Sequence, residues 1–292
     1  MVQLLMDTDL SCDVDDAVAL AVADIWNKKR EIDFLAITHC LQHEDCIKIV
    51  QRINKYYDTE IPVGLAPSCK LDYESYSQRF LKETAQKSDI LPIPYFDSID
   101  LIKKTLERAN RGSVTMLCIG LLNNLAALAN DPHLKSLMYE KVKEIVIVGG
   151  NFRDYGEYFE FGNIRWEGEY NIISDIESAR VVFEQTQLPL TLVDFNQGVD
   201  VILEIDRAEL KNTNILREIF YTAKFLKRPM WDVVALFYAA GREEFTLSEC
   251  GHVVLDRKGK TSFVCGGGNH RLAYVKDKKR LLSKIYSVLR GS

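Results

Sequence analysis

The sequence lacks three features that would assign it to a broad class of proteins. It has no basic cluster with interleaved aromatic residues, and its formal net charge of −5 argues against a nucleic-acid polymer as partner. No apolar run reaches membrane-spanning length, so we expect no membrane association. There is no C-x-x-C pair, and the seven cysteines are an odd number, several of them in apolar runs, so we expect them to be reduced and structural.

The chain also lacks internal repeats, low-complexity tracts and linker-like segments. Its 292 residues, 47% hydrophobic and 27% charged, are enough to bury the core of one large α/β domain. We therefore predict a single domain over residues 1–292. The first predicted strand begins at Val2, which leaves no room for a signal peptide, so we expect a cytoplasmic location.

Short apolar segments alternate with segments of helical periodicity along most of the chain. The predicted strands are residues 2–6, 33–38, 61–64, 114–119, 144–148 and 188–193, and the predicted helices are 17–25, 44–57, 98–109, 122–129, 176–184 and 207–225. This alternation predicts an α/β fold with an open, mostly parallel, Rossmann-like sheet covered by helices. Residues 252–256 and 261–265 predict a small antiparallel hairpin, and a last helix starts at Lys278. Ser174 and Glu177 have capping-box spacing, which predicts a helix start just after Asn171.

An acidic turn follows the first predicted strand. It holds five aspartates and no basic residue, namely Asp7, Asp9, Asp13, Asp15 and Asp16. Carboxylates this close together repel one another, so either their pKa values rise or a cation neutralises them. A hard divalent cation is the economical solution, because calcium or magnesium binds several carboxylate oxygens at once.

The acidic turn has three alternatives to a metal site. Asp15 and Asp16 stand where a helix begins, where acidic residues cap free N–H groups, but capping accounts for two of the five aspartates. An EF-hand loop starting at Asp7 is excluded, because its sixth and twelfth positions are not glycine and glutamate. An aspartyl phosphotransferase would use Asp7 and Asp9 and gives the other aspartates no part. It remains open as an alternative.

The acidic turn resembles the opening motif of the inosine-uridine nucleoside hydrolase family, Asp-x-Asp-Pro-Gly-x-Asp-Asp-Ala, with two extra loop residues and without Pro-Gly. Further segments resemble the family in the same order along the chain: residues 35–38, 61–64, 119–124, 145–150, 163–171 and 231–232. The resemblance implies the nucleoside hydrolase fold. It also implies calcium-dependent hydrolysis of the N-glycosidic bond of ribonucleosides to free base and ribose, in nucleoside catabolism and salvage.

The resemblance carries specific roles onto residues of this chain. It implies that Asp9, Asp16, Asp232 and the backbone carbonyl of Ile119 hold Ca2+. Asp9 would also take a proton from the attacking water, and Asp15 would orient the ribose 2′-hydroxyl. Taken alone, Asp232 would be interpreted as a helix N-cap.

A long polar loop supplies the predicted ribose ligands. The segment Gly162-Asn163 to Asn171 resembles the family pattern Gly-Asn-x(5)-Glu-x-Asn, which implies that Asn163, Glu169 and Asn171 bind ribose hydroxyls. Amide and carboxylate groups suit that task, because a polyol needs both donors and acceptors. The alternative is that these side chains only hold the loop in place.

Three further positions, Asp7, Asp13 and His43, have expected roles beside the metal and ribose ligands. Asp7 is expected to brace Asp9 from behind. The two extra loop residues leave one assignment open, because Asp13 would fit the role given to Asp15 or to Asp9. His43 stands where many relatives have an asparagine, and it is either a site residue or the cap of the helix that follows it.

Trp231 stands where many relatives have a histidine that protonates the leaving base. An indole is not a general acid, but its face stacks on a nucleobase, as in the purine-preferring branch of the family. We therefore expect Trp231 to contribute to catalysis by stacking and purine nucleosides to be preferred. The alternative is that Trp231 packs beneath the helix that starts at Asp232.

A second function belongs to another class of protein. A calcium-dependent ribose or nucleoside-binding protein without turnover would need the same ligand-binding residues. Turnover also needs the full carboxylate set, and the presence of Asp7, Asp9, Asp16 and Asp232 favours an enzyme. The partner is then a small nucleoside substrate, and a homodimer or homotetramer is expected.

Overall fold

Strand β1 (Val2–Thr8) lies in the middle of the central sheet. The structure is a computed structural model, and it describes residues 1–10, 13–69, 94–152, 159–161, 164–166, 168–207, 210 and 214–291. Leu4 and Met6 enter one hydrophobic core and Leu5 enters the other, because successive side chains of a strand point to opposite faces. The apolar run at the start of the sequence is thus a strand buried on both faces.

A sheet with eleven described strands forms around β1. Ten strands follow one another in the order β14-β13-β15-β9-β6-β5-β1-β2-β3-β4, and β12 pairs with β15. The other strands of this sheet are β2 (Ile32–His39), β3 (Val63–Leu65), β4 (Phe96–Asp97), β5 (Val114–Cys118), β6 (Val142–Val148), β9 (Leu190–Val193), β12 (Phe245–Leu247), β13 (Gly251–Leu255), β14 (Thr261–Cys265) and β15 (His270–Val275). The strands from β4 to β15 are parallel, whereas β12, β13 and β14 are antiparallel to their neighbours.

Two short strand pairs lie outside this sheet. They are β7 (Phe159–Phe161) with β8 (Ile164–Trp166) and β10 (Ile202–Glu204) with β11 (Lys227–Pro229), and both pairs are antiparallel. Only Met230 separates β11 from the helix that begins at Trp231.

Helices cover both faces of the sheet. They are α1 (Asp15–Lys28), α2 (Glu44–Tyr56), α3 (Ser98–Arg108), α4 (Asn123–Asn130), α5 (Pro132–Lys141), α6 (Tyr170–Ser174), α7 (Ile176–Gln185), α8 (Phe195–Gly198), α9 (Asn214–Thr222), α10 (Trp231–Ala239) and α11 (Lys278–Arg290). Helices α1, α2, α9, α10 and α11 contribute to one core, and α3, α4, α5 and α7 contribute to the other. Among the described helices, none combines the length and the apolar character that a membrane span requires.

The strand order reverses beside β1. From β1 the chain moves outward through β2, β3 and β4 on one side, and it then returns to β5 on the other side. In open α/β sheets such a reversal opens a crevice beyond the carboxyl ends of the two strands, where ligands bind. The acidic turn follows β1, so the fold places it at this crevice.

The predicted fold class is confirmed by the structure. The parallel sheet and its helices are present, and the hairpin pairs Gly251 with Cys265 and Leu255 with Thr261. Gly259 has a φ of +86° in the hairpin turn, a conformation that favours glycine.

Three local predictions were wrong or incomplete. The helix predicted from Arg207 begins at Asn214 among the described residues, and the Leu210 N–H instead donates to the Arg207 carbonyl at 3.0 Å. The predicted capping box does not form the cap of α7, since Asp175 caps that helix by accepting from the Ser178 N–H. Strand β15 was missed, as was α5.

One buried carboxylate lies outside the candidate site. Asp24 in α1 is fully buried, and its Oδ1 accepts a hydrogen bond of 2.8 Å from the Thr59 hydroxyl. Among the described residues, its Oδ2 has no hydrogen-bond partner. Burial raises the pKa of Asp24 to about 7, and the Thr59 hydrogen bond offsets only part of that effect.

We expect Asp24→Asn to gain stability relative to the wild type as pH rises. The folded-state pKa of Asp24 lies above its ordinary value, so the protonated carboxyl group stabilises the wild-type fold fully below about pH 4. This stabilisation is lost as pH rises through about 7. The free energy of unfolding of Asp24→Asn minus that of the wild type should grow by up to about 2.5 kcal/mol from about pH 5 to about pH 8. Urea denaturation measures it, with the exposed Asp58→Asn as control. A difference that is the same at both pH values would contradict the prediction.

Candidate active site

Three buried carboxylates meet at the crevice beside β1. One oxygen from each of Asp15, Asp16 and Asp232 lies within 4.8 Å of the other two. Asp15 and Asp16 are in the first turn of α1, and Asp232 is in the first turn of α10. The Asp232 N–H donates to Oδ2 of Asp15 at 3.3 Å, which joins the two helix starts.

The negative charges of these buried carboxylates repel one another, and a bound cation would neutralise them. Burial raises the pKa of Asp232 well above its usual range, and the charges of Asp15 and Asp16 raise it further. The same causes act on Asp16, where Asp9 is the strongest of the charged neighbours. Helix N-termini favour carboxylates, but they do not remove the repulsion among several of them. A hard divalent cation fits this set of oxygen donors and would reverse these pKa shifts.

Asp9 adjoins the group from the end of β1. It is buried, and its charge acts on both Asp16 and Asp232. The loop after β5 approaches it closely, since a Cβ at Gly120 would lie 2.8 Å from the Asp9 backbone nitrogen. Only glycine at position 120 lets the loop after β5 come this close to Asp9. This close approach places the carbonyl of the neighbouring Ile119 at the crevice.

The predicted backbone ligand lies next to a predicted ribose ligand. The Asn171 amide nitrogen is 3.4 Å from the Ile119 carbonyl oxygen and 3.1 Å from that of Val148. Asn171 thus bridges the ends of β5 and β6. Because the two carbonyls use both hydrogens of the amide, Asn171 would meet a ligand through its Oδ1 as an acceptor.

Glu169 is more strongly held by the protein than the sequence indicated. Its carboxylate caps α6 by accepting from the N–H groups of Asn171 and Ile172, and it also accepts from the Gly150 N–H at 3.1 Å. Burial raises the pKa of Glu169 to about 7, and these hydrogen bonds oppose the rise. The structural role considered for this residue is therefore present, since Glu169 fixes the loop at the edge of the crevice, and its contact with ribose stays a prediction.

Asp7 holds the end of β1 in place. Its Oδ1 accepts from the Thr38 hydroxyl at 2.7 Å and from the Asn124 amide at 2.8 Å. Burial raises the pKa of Asp7 to about 7. These hydrogen bonds join β1 to β2 and α4, and the predicted bracing of Asp9 would act through this framework.

Asp13 is paired with a basic residue. Its carboxylate accepts from the Arg228 guanidinium at 2.8 and 2.9 Å. Asp13 is not a member of the three-carboxylate group, whereas Asp15 is. This favours Asp15 over Asp13 for the role of orienting the ribose 2′-hydroxyl. The two residues before Asp13 lie outside the described residues.

Comparison with known proteins gives the family. A sequence model described as inosine-uridine preferring nucleoside hydrolase matches residues 4–280. The chain belongs to this family. Similar curated proteins include the pyrimidine-specific ribonucleoside hydrolase RihB of Escherichia coli, from strain K12 / DH10B and from O157:H7 strain EC4115, each 29% identical over 222 residues. These alignments cover 68% of this chain and 64% of the length of each relative.

Solved structures of nucleoside hydrolases share the fold. The inosine-uridine preferring nucleoside hydrolase of Bacillus anthracis aligns over 100% of both chains, with a TM-score of 0.76 and 18% identity. An inosine-guanosine nucleoside hydrolase aligns over 98% of both chains, with a TM-score of 0.74 and 19% identity. The effector XopQ, solved with adenosine diphosphate ribose, has a TM-score of 0.74 at 13% identity and covers 99% of this chain and 94% of its own.

In this nucleoside hydrolase family member, Trp231 is the first residue of α10 and is partly buried. Its indole N–H donates to the Phe195 carbonyl at 2.8 Å, and the two rings lie 5.3 Å apart, tilted by 32°. A Cβ at Gly198 would lie 2.5 Å from the Trp231 Cα. Trp231 therefore packs against α8, and its stacking on a base stays a prediction.

The two remaining predicted site residues have different outcomes. His43 caps α2, since its Nδ1 accepts from the Asp45 N–H at 3.2 Å, as the capping alternative stated. Asn163 lies outside the described residues. Its contact with ribose stays a prediction.

Sequence reasoning missed two residues that shape the acidic turn of this family member. The Thr8 hydroxyl donates to Oδ1 of Asp16 and accepts from the Leu10 N–H. Nδ1 of His39 accepts from the Leu41 N–H, so Nε2 carries the proton and donates to the Leu10 carbonyl at 3.1 Å. Burial lowers the pKa of His39 to about 4, so it is neutral. The sequence could have indicated both residues, because Thr8 and His39 are polar residues at the carboxyl ends of the apolar strands β1 and β2.

Proposed function

We propose that this protein is a calcium-dependent nucleoside hydrolase that cleaves the N-glycosidic bond of ribonucleosides to free base and ribose. One observation carries the proposal: Asp15, Asp16 and Asp232 bring their oxygens within 4.8 Å of one another at the crevice beside β1. Membership of the nucleoside hydrolase family supports the reaction class. The relatives are matched over 64% of their length, so their substrates are not transferred directly.

The metal would be held by oxygen atoms of the chain. Asp9, Asp16, Asp232 and the Ile119 carbonyl are the proposed ligands, and Asp15 shares the site with them. When bound, the cation would acidify a water molecule and hold the ribose hydroxyls. Calcium is proposed because several carboxylates and a carbonyl are the hard oxygen donors that it prefers.

The side chains of the crevice would carry the reaction. Asp9 accepts a proton from the water whose oxygen bonds to the anomeric carbon. The carbon–nitrogen bond to the base breaks, and its electron pair leaves with the base, which takes up a proton from the medium. The buried carboxylates stabilise the positive charge that develops on the ribose.

The ribose would be held by the residues around Asn171. Asp15 orients the 2′-hydroxyl, and Asn171 accepts a hydroxyl hydrogen through its Oδ1. Glu169 and Asn163 complete the proposed ribose ligands. Glu169 is already fixed by three backbone N–H groups, which holds its carboxylate still at the edge of the crevice.

We further propose that purine nucleosides are preferred. Trp231 stands beside Asp232, and its indole would stack on the base. The names of related proteins point to different bases, since RihB is called pyrimidine-specific and a structural neighbour is called an inosine-guanosine hydrolase. The preference of this chain therefore needs a direct measurement.

A nucleoside panel tests the proposed function. Purified protein with calcium is incubated with inosine, guanosine, adenosine, uridine and cytidine, and the ribose released is measured as reducing sugar. We expect turnover of ribonucleosides, fastest with a purine. Saturable binding of nucleosides without ribose release would instead identify a calcium-dependent binding protein.

Three further proposals concern the domain organisation, the assembly and the location of the protein. We propose that residues 1–292 act as one domain and assemble as a homodimer or homotetramer. A cytoplasmic location is proposed as well. Sedimentation of the purified protein tests the assembly.

A further inference from the structure

An ion pair joins two segments that both lead into the candidate site. The Arg228 guanidinium binds the Asp13 carboxylate through two nitrogens: Nε lies 2.8 Å from Oδ1 and 2.9 Å from Oδ2, and Nη2 also donates to Oδ2. The Arg228 side chain is 14% exposed and that of Asp13 is 21% exposed. A partly buried, forked pair of this kind is stronger than an ordinary surface ion pair.

The two partners belong to elements that carry different metal ligands. Asp13 directly precedes Val14, the N-cap of α1, whose first turn carries Asp15 and Asp16. Arg228 lies in β11, just before α10 and Asp232. The pair therefore ties the start of α1 to the start of α10.

Two aromatic rings also contact the guanidinium. The central carbon of the Arg228 guanidinium lies 4.6 Å from the centre of the Phe225 ring and 5.6 Å from that of Trp231. Contacts at these distances are attractive cation–π interactions. The position of Arg228 is thus set by its neighbours as well as by Asp13.

Asp13 is a fifth carboxylate near the proposed cation. It lies two residues before Asp15, and its partner Arg228 lies four residues before Asp232, whose N–H donates to Asp15 at 3.3 Å. The Arg228 charge lowers the pKa of Asp15. Without Arg228, the Asp13 carboxylate would lose the forked ion pair that holds it, and its charged oxygens could turn to the proposed cation.

We propose that Arg228 is a positioning residue that holds Asp13 of the lengthened loop out of the ligand set of the metal. The proposal rests on the proposed function, because it concerns the calcium site. With Arg228 present, Asp13 serves as a structural tie. When Arg228 is removed, Asp13 turns to the cation and takes a place that the water or a ribose hydroxyl needs.

A double-mutant cycle tests this proposal. Calcium binding to chelator-stripped protein is measured by titration calorimetry, and nucleoside hydrolysis is measured with excess calcium. Arg228→Gln should tighten calcium binding by about tenfold, because one more carboxylate reaches the ion. It should also lower kcat/KM by about 10- to 100-fold. In the Asp13→Asn background, Arg228→Gln should change either quantity by less than about threefold.

The cycle separates positioning from simple charge effects. If the Arg228 charge acted only through space, Arg228→Gln would tighten calcium binding equally in both backgrounds, and that result would overturn the proposal. Arg52→Gln is the matched control, because Arg52 makes a similar forked pair with Glu218 between α2 and α9. It should leave calcium binding and kcat/KM unchanged.

Failure of the proposed function gives a different result. A wild type that neither binds calcium nor releases ribose contradicts the proposed function, whatever the variants do. A wild type that does both, with equal effects of Arg228→Gln in the two backgrounds, contradicts only the role of the ion pair. Should Arg228→Gln not fold, Arg228→Lys enters the same cycle, since an ammonium cannot form the forked pair.

Discussion

Replacing Asp232 with asparagine is expected to remove calcium binding and nucleoside hydrolysis together. Asp232 contributes a charged oxygen to the buried three-carboxylate group, and asparagine keeps its shape but loses that charge. Residues that only orient metal ligands cost about 10- to 100-fold in affinity when replaced, so loss of a ligand should cost more than about 100-fold. Asp16→Asn should act in the same way. Elemental analysis and initial rates measure the two effects.

A second aspartate at a helix start provides the control. Asp277 caps α11 by accepting from the Arg280 N–H at 3.0 Å, so Asp277→Asn changes a helix cap outside the crevice. This variant should keep both calcium and activity. Full calcium occupancy in Asp16→Asn and Asp232→Asn would overturn the proposed ligand set, even with activity lost.

Replacing Trp231 with alanine is expected to slow the hydrolysis of purine nucleosides much more than that of uridine or cytidine. Stacking grows with ring area, and a purine offers more face than a pyrimidine. Stacking of a base on an aromatic ring contributes about 1 to 3 kcal/mol, so kcat/KM for purines should fall by about 5- to 150-fold. Steady-state kinetics on both classes of nucleoside measure the effect.

The packing of Trp231 gives this residue a competing structural role. Its indole donates to the Phe195 carbonyl, so alanine also removes a structural contact. Thermal melting separates the two roles, because stacking on substrate leaves the melting temperature of the free protein nearly unchanged. A large drop in melting temperature, or an equal loss of activity on purines and pyrimidines, would show that Trp231 only packs.

The centre of the fold could be predicted because its signals are local. The run Val2 to Met6 is too short and too apolar for anything but a buried strand, and the aspartates that follow it had to lie at the carboxyl edge of the sheet. These features depend on neighbours in sequence and on general rules of α/β sheets. Asp232 was placed at the site only by the family resemblance, since its local sequence indicated a helix N-cap.

The contacts that the sequence did not indicate depend on partners distant in sequence or on competing tertiary contacts. Asp13 pairs with Arg228, 215 residues away, and no local pattern connects them. Asp7 stays a predicted brace of Asp9, and its own partners Thr38 and Asn124 are brought to it by other elements. Ser174 and Glu177 had the spacing of a cap, but Asp175 is the residue that caps the helix. Local propensity decides such cases only when tertiary contacts do not compete.

The calcium dependence of ribose release tests the central claim most directly. Protein stripped with a chelator is mixed with a nucleoside, and the rate of ribose release is followed as calcium is added back. The account predicts no release in excess chelator and a rate that rises with calcium until one ion is bound per chain. Undiminished ribose release in excess chelator, from protein shown by elemental analysis to hold no metal, would contradict it.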